Sequence, residues 1–234
     1  MLLPIGDDIR LHRPPLATLA LIAINVAVFA WQLTLPFADE GRFIHRFGLI
    51  AARLIGGAPG VADAAPPWLT LLTSAFVHGG VLHLLGNMLF LWIFGGNVEE
   101  ALGIVRFLLF YLLCAALAGV TQALVAPRSP VPMIGASGAI AGVLAAYWAL
   151  YPGAMVRVFL WVVVLVRTFL VPASWWILFW LAGQIWSAWV TPPGRPGVAW
   201  YAHLGGFFGG VALLFAVFPH WLEARRDWLR RRGW

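Results

Sequence analysis

Of the chain's 234 residues, 62% are hydrophobic and 10% charged, where an ordinary soluble domain carries roughly one-quarter charged residues; a mean hydropathy of +0.88 excludes a soluble globule and predicts one domain built as a bundle of membrane helices. The formal charge of +6 comes from fifteen basic residues, all arginine, which fall at span boundaries and in the tail instead of on one soluble face, so nucleic acid is not the expected partner. A single cysteine, Cys114, excludes an internal disulfide and any cysteine-based metal cage.

Residues 1–15, MLLPIGDDIRLHRPP, hold two acids and no small-residue cleavage site, so they read as a retained cytoplasmic N-terminal segment. A bilayer core of about 30 Å needs about 20 apolar residues per helix. The segments that qualify are Leu16–Leu35, Val81–Val98, Ile104–Ala126, Pro132–Tyr151, Ala173–Val190 and Val198–Phe218. The expected fold class is therefore an all-α membrane protein, a bundle of six transmembrane helices. Residues 16–218 form the bundle and residues 219–234 a basic cytoplasmic tail that meets anionic lipid.

A seventh apolar run, Val156–Val171, is decided by arginine balance. With six spans, Arg10, Arg13, Arg106, Arg157, Arg167 and the five arginines of the tail share one side, and Arg42, Arg46, Arg53, Arg128 and Arg195 take the other. A seventh span would bury Arg167 and send the basic tail across the membrane. Both termini are thus expected in the cytoplasm, with Val156–Val171 a partly immersed, strand-like connection, as its valines suggest. The long first extracytoplasmic loop, Pro36–Gly80, contains GGAPG and APPW and is expected to be irregular and functional. Tryptophans near span ends fit the membrane interface.

Spans two, four and six enter from the outer side, and each carries polar groups near its start: His83 and Asn87, Ser137, and His203. A rise of about 1.5 Å per residue puts all four roughly 5–10 Å below the outer surface. Each alone has a structural explanation, as a serine bonding back to its own helix, as interhelical glue, or as a satisfied interface histidine. Together at one depth they form a candidate site. No acid is expected inside a span core and there is no HExxH, which excludes an intramembrane aspartate pair and that zinc motif. A serine nucleophile with a histidine base remains, Ser137 with His203. Gly135 and Gly138 permit close backbone approach. The start of span four would turn N–H groups toward an oxyanion, with His83 and Asn87 as further donors. Gly138, Gly142 and Ala146 on span four, and Ala202, Gly206 and Gly210 on span six, are spaced for close helix contact.

The combination of HGGVLHLLGN at His78–Asn87, GGNVEEALG at Gly95–Gly103, GASG at Gly135–Gly138 and AHLGGFFGG at Ala202–Gly210 resembles the rhomboid intramembrane serine proteases. The resemblance runs from about Trp68 to Phe218. It implies Ser137 as nucleophile, His203 as base, and His83, Asn87 and the Ser137 N–H as the oxyanion hole. It also implies His78 as a supporting histidine, Glu99 and Gly103 as a structural turn steadied by Arg106, Pro36–Gly80 as a half-embedded hairpin, and span five with TPPGRPG as a mobile gate. Transmembrane proteins would be the substrates, with membrane lipid as surroundings, no cofactor and no metal, in a bacterial inner membrane. Two positions depart from the family pattern: Trp68 is followed by Leu69 where an arginine is common, and Ala141 stands where an aromatic ring often supports the histidine. A non-catalytic rhomboid-like helix binder and a small transporter or channel are the alternatives. A transporter should show polar groups continuing into the inner half of the bundle, and the sequence has no such trail.

Overall fold

The structure, a computed structural model, describes residues 2–57, 64–162, 165–217 and 221–231. Helices dominate. They are α1 (Leu16–Gln32), α2 (Phe37–Phe47), α3 (Ala51–Leu54), α4 (Thr70–Thr73), α5 (Val81–Phe90), α6 (Gly96–Leu102), α7 (Ile104–Val125), α8 (Ser137–Leu150), α9 (Ala173–Val190), α10 (Trp200–Ala216) and α11 (Trp221–Arg231). A π turn, Leu91–Gly95, joins α5 and α6. The resulting helix Val81–Leu102 and α7, each of 22 residues, are long and apolar enough to cross a membrane; a third qualifies if α10 and α11 are taken together.

α8 is the central helix. Every residue from Gly138 to Tyr147 is buried, as expected of a helix that is apolar all round and enclosed on every side. It packs against α7, α9, α10 and the Val81–Leu102 helix. Small residues set how closely. A Cβ on Gly206 would collide with the Gly138 carbonyl, one on Gly142 with the Cys114 sulfur, and one on Gly210 would lie 2.7 Å from the Gly142 Cα. These backbones approach as closely as the periodic small residues imply.

The Val81–Leu102 helix runs past Val98, so Glu99 lies within it and is buried. The acid is tolerated because it is fully engaged: its carboxylate accepts the N–H groups of Ala17 (2.9 Å) and Thr18 (2.8 Å) and the Thr18 hydroxyl (2.8 Å). It therefore caps the start of α1, where unpaired N–H groups favour an anion. Gly103, at φ +82°, makes the turn into α7, and its N–H donates to the Glu99 carbonyl at 2.7 Å. Arg106 is exposed, with no side-chain hydrogen bond to the described residues.

Two small sheets accompany the helices. β1 (Leu2–Asp7), β4 (Met155–Val162) and β5 (Leu165–Pro172) form an antiparallel sheet in the order β1-β4-β5. The described residues of Val156–Val171 are thus strand-like, β4 paired antiparallel with β5, and residues 163–164 lie outside the described residues. The N-terminal segment is its edge strand, where Pro4 is tolerated, and a register shift falls between Pro4 and Gly6. Asp7 ends this strand, its Oδ2 accepting the Tyr147 hydroxyl and the Asn97 amide, both at 2.7 Å. Burial is the main cause of its pKa rising from 3.8 to about 6.

The described part of the first loop is more regular than APPW suggests, and residues 58–63, which include most of GGAPG, lie outside the described residues. It holds α2, β2 (Leu49–Ile50), α3, α4 and a short 3-10 turn, Ser74–Phe76. The α2 sequence FADEGRFIHRF places acids in its first turn and His45 and Arg46 in its last, both matched to the helix dipole. β2 pairs with β3 (Pro132–Met133). Further ties are Arg53 to the carbonyls of His45 (3.2 Å) and Ala65 (2.8 Å), Thr73 to Phe47 (2.7 Å), and Gln32 to His78 (2.7 Å). With Trp68 exposed, these bonds hold the loop in place of the absent arginine.

The basic tail folds back as α11. Trp221 is buried, and an Arg231 N–H donates to His12 Nε2 at 3.0 Å, while the His12 ring meets Glu100 at 2.9 Å. The expected end of span six, Phe218, and the last three tail residues lie outside the described residues.

Candidate active site

Pro132 and Met133 are spent in β3 and Gly135 turns the chain at φ +113°, so α8 begins at Ser137 and not at Pro132. The first turn of a helix has N–H groups without intrahelical acceptors. Ser137 therefore stands at the helix mouth and not five residues inside it. The entry is anchored by the Gly135 N–H, which donates to the Ser74 carbonyl at 2.8 Å.

His203 sits in the first turn of α10 and is 8% exposed. Its Nε2 lies 2.7 Å from Ser137 Oγ and its Nδ1 lies 2.7 Å from Gln184 Oε1, on α9. The contact between Gly138 and Gly206 described above brings α8 and α10 close enough for the first of these bonds. Trp180 and Trp200 flank the imidazole, with ring centroids 6.0 and 6.1 Å away. Ala141 is buried and supplies no ring.

His83 and Asn87 lie on one face of α5, directed at the turn before Ser137. A Cβ on Gly135 would fall 2.6 Å from His83 Nε2 and 3.6 Å from Asn87 Nδ2, so only glycine permits this proximity. The Gly79 N–H approaches His83 Nδ1 at 3.4 Å, which leaves Nε2 as the protonated nitrogen. Asn87 Nδ2 is buried and has no hydrogen-bond partner among the described residues. His78 is fully buried behind His83, with ring centroids 5.1 Å apart.

Ser137, His83 and His203 line a cavity of about 540 Å³, closed on one side by Gly197, Val198 and Ala199 from the segment before α10. That segment contains TPPGRPG, where Gly194 and Gly197 take φ of +80° and +130°. The candidate residues thus meet in one place, apart from Glu99 and Gly103, which hold α1 and the α6–α7 turn, and Gly210, which spaces α10 from α8. Gln184 was missed. Its signal was a lone amide in a helix that is apolar apart from Ser174 and Ser187, a costly residue at membrane depth.

The Rhomboid domain model matches residues 65–220. The chain belongs to the rhomboid family. Relatives within the family include the mitochondrial Rhomboid protein 1 of Saccharomyces cerevisiae, 33% identical over 198 residues that make up 82% of this chain and 50% of that protein. Rhomboid protease GluP of Bacillus subtilis is 46% identical over 80 residues, 34% of this chain and 15% of its own. Inactive rhomboid protein 1 of Drosophila melanogaster is 34% identical over 80 residues, 34% of this chain and 6% of its own. The chain thus spans half or less of the length of these relatives. Rhomboids with and without activity resemble it, so its chemistry has to be argued from its own residues. Its rhomboid domain and apolar helices make it an integral membrane protein.

Proposed function

We propose that this rhomboid is an intramembrane serine endopeptidase that cleaves peptide bonds in or beside the transmembrane helices of membrane proteins. The observation that carries the reading is the 2.7 Å hydrogen bond between Ser137 Oγ and His203 Nε2, two groups that line one cavity together with His83.

In the proposed reaction, Ser137 Oγ attacks the substrate carbonyl carbon as its proton passes to His203 Nε2. The Ser137 N–H, His83 Nε2–H and the Asn87 amide hold the resulting oxyanion. Collapse breaks the C–N bond, and the proton on His203 goes to the departing amine. A water then attacks the Ser137 ester, His203 takes its proton, and ester cleavage returns that proton to Ser137. The substrate helix must unwind locally, because a carbonyl bonded within a helix is shielded. The family pattern points to a small residue before the cut.

The proposed topology is six spans over residues 16–218, with both termini and α11 on the cytoplasmic side of a bacterial inner membrane and Pro36–Gly80 outside. Arginine balance and the outer-leaflet depth of the four polar residues support it. Purified protein incubated with a model membrane substrate should yield two fragments, and Ser137→Ala and His203→Ala should yield none. Equal cleavage by the variants refutes the Ser137–His203 reading, and no cleavage by the parent refutes it in favour of a non-catalytic helix binder.

A further inference from the structure

The imidazole of His203 needs one tautomer to act as a base toward Ser137, with Nε2 free to accept and the proton on Nδ1. Among the described residues no carboxylate touches the ring to enforce this, and the buried Ala141 offers no aromatic face. What touches Nδ1 is Gln184 Oε1, at 2.7 Å. The amide's orientation is itself fixed: Gln184 Nε2 donates to the Trp180 carbonyl one turn earlier, at 3.3 Å. With the NH₂ committed to that carbonyl, only the oxygen is left to face His203, and it can only accept. The ring nitrogen opposite it must carry the hydrogen.

We propose that Gln184 is the positioning residue of the site, so that Ser137, His203 and Gln184 form a hydrogen-bonded chain in which the amide fixes the tautomer and plane of the imidazole. A neutral amide suits a buried position in a membrane helix, where an unpaired carboxylate would be far costlier. Its dipole also favours the imidazolium formed when Ser137 attacks. The three side chains ride on three helices, α8, α10 and α9. α9 is tied to α10 near this level by a second bond, from the Tyr201 hydroxyl to the Ala188 carbonyl at 3.0 Å. The C-terminal half of α9 also carries bulky exposed residues, Trp186 and Trp189. Base competence therefore requires α9 to be docked.

This inference rests on the protease reading, and the two are tested apart. In the full-length detergent-solubilised protein with ¹⁵N-labelled histidine, the His203 ring nitrogens, assigned against His203→Ala, should report the Nδ1–H tautomer. Gln184→Leu should shift them toward a tautomer mixture. In cleavage of a model membrane substrate, Gln184→Leu should lower kcat about 10- to 100-fold, a part of the usual general-base contribution, with KM little changed. Gln184→Glu keeps the acceptor and should restore most of kcat while moving the acid limb of the pH profile to higher pH, because a carboxylate favours the cation. A merely packing role predicts equal losses in both variants and an unmoved limb, and that result overturns the proposal. So does a wild-type ring found in the Nε2–H tautomer. If the parent neither cleaves nor reacts with a fluorophosphonate, the protease reading fails, while the nitrogen shifts still decide whether Gln184 sets the tautomer. Should Gln184→Leu fail to fold, the wild-type shifts and Gln184→Glu decide it.

Discussion

Gly206 on α10 lies so close against the carbonyl of Gly138 on α8 that no side chain fits between them. The hydrogen bond between Ser137 and His203 depends on this spacing. Gly206→Ala should push the two helices apart, destabilise the protein by about 1–3 kcal/mol and abolish most cleavage. Gly183 on α9 has nothing within 4 Å of a Cβ, so Gly183→Ala should leave the melting temperature unchanged or raised. Thermal unfolding in detergent with a cleavage assay checks both, and a neutral Gly206→Ala would show that helix spacing does not govern the site.

Asn87 separates the catalytic reading from the packing one. Its amide nitrogen bonds none of the described residues, so Asn87→Ala removes no bond seen from that group and should leave the melting temperature near the parent's. As a lost oxyanion donor it should lower kcat about 100- to 1,000-fold. The opposite pattern, a stability loss with unchanged turnover, would make Asn87 interhelical glue.

Glu99 predicts a stability effect without a direct chemical one. Glu99→Ala strands two N–H groups and a hydroxyl at the buried start of α1, a loss of about 3 kcal/mol. Glu99→Gln retains one acceptor oxygen and should lose less. Unfolding of the two variants in detergent measures the difference, and equal stability of Glu99→Ala and the parent would rule out the cap.

Asp7 makes stability depend on pH. Its folded pKa of about 6 stands above the ordinary 3.8, so the folded protein holds this proton more tightly than the unfolded chain. The resulting stabilisation is fully present below the unfolded value and is lost as pH rises through about 6. Asp7→Asn, whose oxygen can still accept from Tyr147 and Asn97, should weaken the fall in melting temperature between about pH 4 and pH 7. An unchanged pH profile in the variant would assign the effect elsewhere.

Much of the site was legible because its signals are local. Polar residues inside apolar runs are costly and so stand out, and small residues at every fourth position mark a helix face whatever it packs against. Ser137, His203, His83 and Asn87 could be named on that basis; the first three line one cavity, and Asn87 lies beside it at the Gly135 turn. Boundaries were less legible: Glu99 joins the helix beyond Val98, and Pro132 to Ala136 leave it, because a distant partner satisfies each backbone or carboxylate. The first loop looked irregular for the same reason, since β2 closes on β3 some eighty residues away.

The sequence by itself determined that this chain is an apolar membrane protein and marked out the alcohol and imidazole that meet in the fold. Tertiary structure alone decided what holds that imidazole, since Ala141 carries no ring and Gln184 has no fixed spacing from His203 in any local pattern. It also decided that LLPIGD, interrupted by proline and glycine, becomes an edge strand on a hairpin about 150 residues later. Hydrogen-bond partners across such distances are set by which helices meet, and the periodicity of one segment carries no information about the other.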